Sequence, residues 1–277
     1  MGHARTFALA AKRAGGAGLA LRIEDLDGPR CRPEFTTAAL DDLRWLGLLW
    51  TEGPDVGGAH APYVQSERGA WFLEVWRRLE ASGAIYPSPH SRRDVEEAAA
   101  APHDAEAEPI FPPALRPSRR ERATAPGGVP WRFRVPDGRM LVFEDAIQGT
   151  VRRTAGVDFG DFVIWRREEL AAYELAVVAD DHAMEIAEVV RGADLLTSTA
   201  RQLLLYEALG WTPPAWCHAP LVCDASGRRL AKRAGGLAIR DLRAAGRTPQ
   251  EVLTGAVVME GRNVGAGFPP AQELPRA

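Results

Sequence analysis

The sequence predicts an α/β fold in which a parallel, doubly wound sheet is interrupted by an insertion. Three observations predict it. Apolar runs of strand length alternate with helical periods toward both ends of the chain. Residues 98–130 carry seven prolines in 33 positions. The composition, 46% hydrophobic and 26% charged over 277 residues with a net charge of −3, is that of an ordinary globular protein able to build a sizeable core.

The elements follow in order. Residues 5–13 read as a helix stopped by Gly15 and Gly16. Leu19 to Ile23 reads as a short buried strand running into the acidic loop Glu24-Asp25-Leu26-Asp27. Leu40, Leu43 and Leu46 have helical spacing before Gly47, and Trp71, Phe72, Val75 and Leu79 form one face of a helix over 68–81 that Gly83 ends. The Pro-rich stretch 98–130 carries no regular pattern. Residues 131–135 and 140–143 alternate around Asp137-Gly138, which predicts a hairpin. Tyr173 to Val178 and Ile186 to Val190 read as strands, and Ser198 to Leu209 as an amphipathic helix. Leu221 to Cys223 reads as a last strand, and Thr248-Pro249-Gln250-Glu251 is a capping box that starts a helix. The tail from Gly261 is expected to be extended or disordered.

Several classes are excluded. No apolar run approaches the ~18 residues that span a bilayer, so no membrane partner is expected. Cys31, Cys217 and Cys223 are three in number and form no C-x-x-C pair, which argues against a disulfide framework and for a cytoplasmic protein. The first 22 residues carry four cations and no acid, superficially like a transit peptide, but they lead straight into a strand. Slight acidity does not exclude a nucleic-acid partner, which needs only a local basic face. Two of the 34 basic residues are lysine, Lys12 and Lys232, so a lysine at a special position stands out.

Four segments can carry chemistry, each with a plainer alternative. Gly2-His3 at a helix start can meet a phosphate, or His3 is a solvated N-terminal residue. Glu24, at the end of a strand, can hold an ammonium group, or the acids cap the next helix. The loop 227–236, with Arg228, Arg229, Lys232 and Arg233 between glycines, suits a polyphosphate, or is a solvated basic turn. Tyr173 and Arg191 can present a hydroxyl and a guanidinium to an acidic ligand. Otherwise the tyrosine is core and the arginine pairs with Asp180 or Asp194.

Taken together, RIEDLD after a GHAR helix, YVQSER at 63–68, GDFVI at 160–164, EVVRGADLL, STARQLLLYEALG and RLAKR resemble the glutamyl-tRNA synthetase family of class I over residues 1–250. About 44 residues follow the RLAKR loop, so the resemblance is to the branch without an anticodon-binding half, which attaches glutamate to the queuosine of tRNA(Asp). That resemblance implies a Rossmann-type class I catalytic domain in two parts, 1–83 and 166–255, around a connective insertion at 84–165, with a tail at 256–277. It implies ATP and Mg2+, with L-glutamate and queuosine-bearing tRNA(Asp) as partners, and a monomer is expected. By the same resemblance Gly2, His3, Arg229, Lys232 and Arg233 bind ATP, with His3 and Lys232 catalytic, and Glu24, Tyr173 and Arg191 bind glutamate. Glu24, Tyr173, Arg191 and Lys232 are expected to converge on one crevice.

The sequence departs from the family at its N-terminus and at the zinc site, and also has Ala231 for the loop's usual Ser and Glu174 for a usual Gln beside Tyr173. Met1 stands at the x of the H-x-G-H signature, so the first strand and its glutamate-binding Arg and Ser are missing; an internal start assignment or a decayed product would account for that. The family's zinc ligands fall on Ser88-Pro89-His90 and Phe111 to Leu115, where only His90 is a ligand type, so zinc is expected to be absent. Arg116, Arg119, Arg120 and Arg122 either meet RNA phosphates or form a solvated face. A glutamyl-tRNA synthetase fragment and a non-catalytic tRNA-binding protein are the alternative readings.

Overall fold

The computed structural model describes residues 2–98, 110–118, 122–221 and 238–254. In chain order these form α1 (Gly2–Ala14), α2 (Pro33–Trp45), α3 (Gly69–Ser82), β1 (Ile85–Pro87), α4 (Arg92–Ala98) and β2 (Trp131–Phe133). There follow β3 (Met140–Asp145), β4 (Gly149–Thr154), β5 (Phe162–Trp165), α5 (Tyr173–Ala183) and β6 (Glu188–Gly192). The last are α6 (Leu196–Leu209), β7 (Ala215–Ala219), α7 (Ile239–Ala244) and α8 (Pro249–Thr254). By contacts the chain divides into one unit of Met1–Tyr63, Val189–Leu195 and Cys217–Ala277, and another of Val64–Glu188 and Leu196–Trp216. Among the described residues no helix is long and apolar enough to cross a membrane.

The first unit is built on leucines. Leu21, Leu43, Leu46, Leu48 and Leu242 are buried together with Ala4 and Val252, each leucine contributing about 1.5–3 kcal/mol when removed from water. Ala4, Ala8 and Ala11 line one side of α1 at helical spacing, and α1 packs on α8. The capping box starts α8 as expected: Thr248 N–H donates to Glu251 at 2.7 Å and Glu251 N–H to Thr248 at 3.3 Å. Residues 19–23 are extended but form no full strand. Ala20 makes one parallel bridge to Glu52, while Leu21 and Ile23 donate to the carbonyls of Glu52 and Tyr63, each at 2.8 Å. β6 lies beside β7.

The second unit holds most of the aromatic core. α3 buries Phe72, Val75, Trp76 and Leu79, and Gly83 ends it at φ 82°, a left-handed turn that costs glycine nothing. β1, β2 and β5 form an antiparallel sheet in that order. β3 and β4 pair antiparallel from Met140↔Thr154 to Asp145↔Gly149, and Asp145 stands opposite Trp216 in a parallel bridge.

Two sequence expectations are corrected here. The predicted hairpin between 131–135 and 140–143 does not form, because β2 pairs with β1 and β5 while β3 pairs with β4. Asp137-Gly138 is a turn, with Gly138 at φ 80°, but it passes the chain from one sheet to another. The true hairpin turn is organised by Asp145, whose Oδ1 accepts from Ile147 and Gln148 at 3.0 and 2.8 Å. The predicted strand at 173–178 is α5. Its residues 174–181 are all buried, so no polar face discloses the helical period, and a buried helix reads like a buried strand. Among the described residues the last strand is Ala215–Ala219; of the expected strand at 221–223, Val222 and Cys223 lie outside the described residues.

Candidate active site

The expected ATP-binding residues are described only at the N-terminus. Gly2 and His3 form the first turn of α1, a 13-residue helix with no acidic residue in that turn to offset the positive end of its dipole. Arg229, Lys232 and Arg233 lie outside the described residues.

Glu24 follows the extended segment that Leu21 and Ile23 anchor. Its carboxylate is 40% exposed and meets Arg22 Nη2 at 3.0 Å. Arg22 is only 14% exposed, so the better-exposed Glu24 is the side of this pair open to a ligand ammonium. Helix capping does not explain the acids, since α2 is entered from Arg32 and Asp27 makes no side-chain cap.

Arg191 lies in β6 and is 8% exposed. Its Nε donates to Nε2 of His218 in β7 at 3.1 Å, and His218 is wholly buried. Because Nε2 accepts, the neutral ring carries its proton on Nδ1. Sequence reasoning missed His218. The available signal was a histidine inside the apolar strand Ala215–Ala219, where a buried imidazole requires a polar partner.

Tyr173 is the first residue of α5 and 40% exposed, so it is not a core tyrosine. Its neighbour Glu174 is buried, accepts from Gln202 Nε2 at 2.7 Å and lies 3.7 Å from Arg201 Nη1. Farther along α5, Asp180 is fully buried and receives Arg68 Nε at 2.5 Å and Gln65 Nε2 at 3.0 Å. The YVQSER segment therefore fastens the helix that carries Tyr173.

Glu24 and Arg191 thus belong to one unit and Tyr173 to the other, each on a defined element. In the unit of Glu24, His60 Nδ1 meets Glu52 Oε2 at 3.0 Å, and Tyr63 donates its hydroxyl to the same oxygen. Those hydrogen bonds, Tyr63 first and His60 second, hold the Glu52 carboxyl below its ordinary range.

The segment around 84–165 contains a second dense network. Asp161, 3% exposed, accepts from Tyr86 at 2.5 Å, from Arg116 Nε and Nη2 at 2.7 Å each, and from the Val135 amide at 2.8 Å. Burial and the bond to Asp161 push the Tyr86 phenol up. Arg116, also paired with Asp137, is therefore a structural cation and not one presented to RNA. Arg122 is exposed, and Arg119 and Arg120 lie outside the described residues. At the positions that resemble a zinc site, Arg132 stacks 4.4 Å from the Phe111 ring centroid and donates to Ser88 Oγ at 3.3 Å. His90 is the one ligand-type side chain in that set, so these residues do not fit the metal. Among the described residues no group of three or more His, Cys, Asp or Glu could hold a metal ion.

Comparison with known proteins adds a family. Residues 1–266 match the family model described as tRNA synthetases class I (E and Q), catalytic domain. The glutamyl-Q tRNA(Asp) synthetase of Symbiobacterium thermophilum is 46% identical over 261 residues, covering 91% of this chain and 80% of that protein. That of Nitratidesulfovibrio vulgaris is 44% identical over 268 residues, covering 94% and 81%. The crystal structure of the glutamate-tRNA synthetase from Elizabethkingia anophelis superimposes with a TM-score of 0.70 at 26% identity, over 84% of this chain and 50% of that one.

Proposed function

Because the chain belongs to the class I tRNA synthetase family of the glutamate and glutamine enzymes, and is thus an ATP-using ligase with that family's catalytic fold, we propose that it activates L-glutamate as glutamyl-adenylate and transfers it to the queuosine of tRNA(Asp). The observation that carries this reading is the 46% identity to a glutamyl-Q tRNA(Asp) synthetase over 91% of the chain.

In the first step a glutamate carboxylate oxygen attacks the α-phosphorus of Mg-ATP and pyrophosphate leaves. In the second a hydroxyl of the cyclopentene-diol attacks the acyl carbon and AMP leaves. Glu24 holds the substrate ammonium and Tyr173 and Arg191 its acidic end. His218 fixes the plane of the Arg191 guanidinium through Nε. Gly2 and His3, at the α1 N-terminus, receive ATP. Arg229, Lys232 and Arg233 neutralise charge that develops toward pyrophosphate, so catalysis is positioning and electrostatic stabilisation. We place the two parts of the catalytic domain at 1–83 and 166–255 and the connective insertion at 84–165, with a tail at 256–277 and a monomeric cytoplasmic enzyme.

The test is glutamate-dependent ATP–pyrophosphate exchange, followed by transfer of labelled glutamate to tRNA(Asp) with and without queuosine. Lys232→Ala should slow exchange by orders of magnitude with the fold intact; an unchanged rate refutes its role. Transfer to tRNA(Glu) instead would favour the second reading, an ordinary glutamyl-tRNA synthetase activity, to which the Elizabethkingia structure points.

A further inference from the structure

The second unit carries an open groove of about 570 Å³ lined by Trp71, Asp181, His182, Glu185, Pro213 and Pro214, among others. It lies at the C-terminal end of α5, the end opposite Tyr173. At about 1.5 Å per helical residue, His182 stands roughly 13 Å along the axis from Tyr173, so the groove is separate from the glutamate-binding end of that helix.

Two of its lining residues, Trp71 and His182, are joined through Trp211 in a column of near-parallel rings. Trp71 and Trp211 stack with centroids 6.1 Å apart at 15°, and His182 lies on Trp211 at 3.8 Å and 8°. Trp71 is locked by its indole N–H donating to the Ala179 carbonyl at 3.0 Å, and Arg78 sits 5.7 Å from its ring centroid. His182 is exposed at the end of the column. Desolvation, and then the nearby Arg78 charge, lower its pKa, which favours the neutral ring for stacking.

The rim is acidic. Glu185 lines the groove, is exposed and makes no ion pair among the described residues, and Asp181 lines it too. Glu185 sits at φ 52°, an uncommon conformation for a residue other than glycine. A flat ring with donors along one edge would be attracted, because an ionised carboxylate only accepts hydrogen bonds. Guanine has that edge, N1–H beside the N2 amino group, whereas adenine presents an acceptor at N1.

We propose that this groove takes an unpaired guanine-type base of the RNA substrate, stacked on His182 and bonded through its N1–H and N2 amino group to the Glu185 carboxylate. Unpaired bases are the usual target of sequence-specific RNA readers, and an aromatic platform is the usual way to hold them. The inference rests on RNA being the acceptor substrate and on no other part of the proposed reaction.

Fluorescence anisotropy with labelled single-stranded oligouridylate carrying one central G, inosine or A tests it, without ATP or glutamate. G should bind more tightly than A by roughly 5- to 150-fold, with inosine between. His182→Ala should weaken the G oligomer by a similar factor of about 5- to 150-fold, and His182→Phe should keep the affinity. Glu185→Gly should abolish the preference for G while the unfolding midpoint holds or rises, since glycine accepts this backbone conformation freely. Equal affinity for G and A, or no effect of His182→Ala, overturns the proposal. Guanosine monophosphate binding as tightly as the oligomer also overturns it, by making the groove a nucleotide site. Pyrophosphate exchange run without RNA on the same preparations reports the glutamate site separately, so failure there cannot be mistaken for failure here.

Discussion

Replacing His218 with alanine probes how Arg191 is held. The guanidinium is 8% exposed and its Nε donates at 3.1 Å to a ring that is wholly buried. A hydrogen bond to a charged group contributes about 1.5–3 kcal/mol. If that energy orients Arg191 for the substrate, its loss raises the KM for glutamate by about 12- to 150-fold. Pyrophosphate exchange at varied glutamate and varied ATP, alongside urea unfolding, reads the effect. The expected result is a higher KM for glutamate, with the KM for ATP and kcat changed less than about twofold. His218→Gln, whose amide oxygen can accept from Nε, should recover most of the loss, and Arg191→Ala should match or exceed the alanine defect. An unchanged KM in a folded His218→Ala protein refutes the reasoning. So does an equal rise in both KM values, which would mark general disruption of the unit.

Three further predictions follow from the same geometry. Arg68→Met leaves Asp180 charged inside the core with only Gln65 among its two named donors intact, and should cost about 3–5 kcal/mol in urea unfolding; a loss below about 1 kcal/mol contradicts this. Tyr63→Phe should raise the Glu52 pKa toward the ordinary carboxylate value of about 4.3, read by carbon NMR. A depressed folded pKa contributes stability that is complete above the ordinary value and lost as pH falls through the depressed one. The pH-dependent part of the Tyr63→Phe stability difference should therefore vanish in acid, and identical Glu52 titrations in both proteins would count against it. Purified protein should contain no stoichiometric zinc by elemental analysis and keep its unfolding midpoint after chelation; one bound zinc per chain would show that the packing of Arg132 on Phe111 does not replace a metal.

Elements bounded by local chemistry were legible in the sequence. α2, α3 and α8 announce themselves through leucine spacing, a terminal glycine or a capping box, all decided within a few residues. Features decided by distant partners were not. Nothing in residues 131–143 says that β2 pairs with β1 and β5, and nothing in α5 distinguishes a helix buried on every side from a strand. The candidate site divides the same way. Motifs drew attention to Glu24, Tyr173 and Arg191, yet His218 and the clamp of Gln65 and Arg68 on Asp180 depend on residues 27 and more than 110 positions apart. No spacing rule reaches across such separations.

Val95, on α4, and Phe111 are buried in one cluster with Tyr86. Two segments distant in the chain are thereby tied through one tyrosine of β1, so a polar side chain introduced at either Val95 or Phe111 would loosen both attachments together.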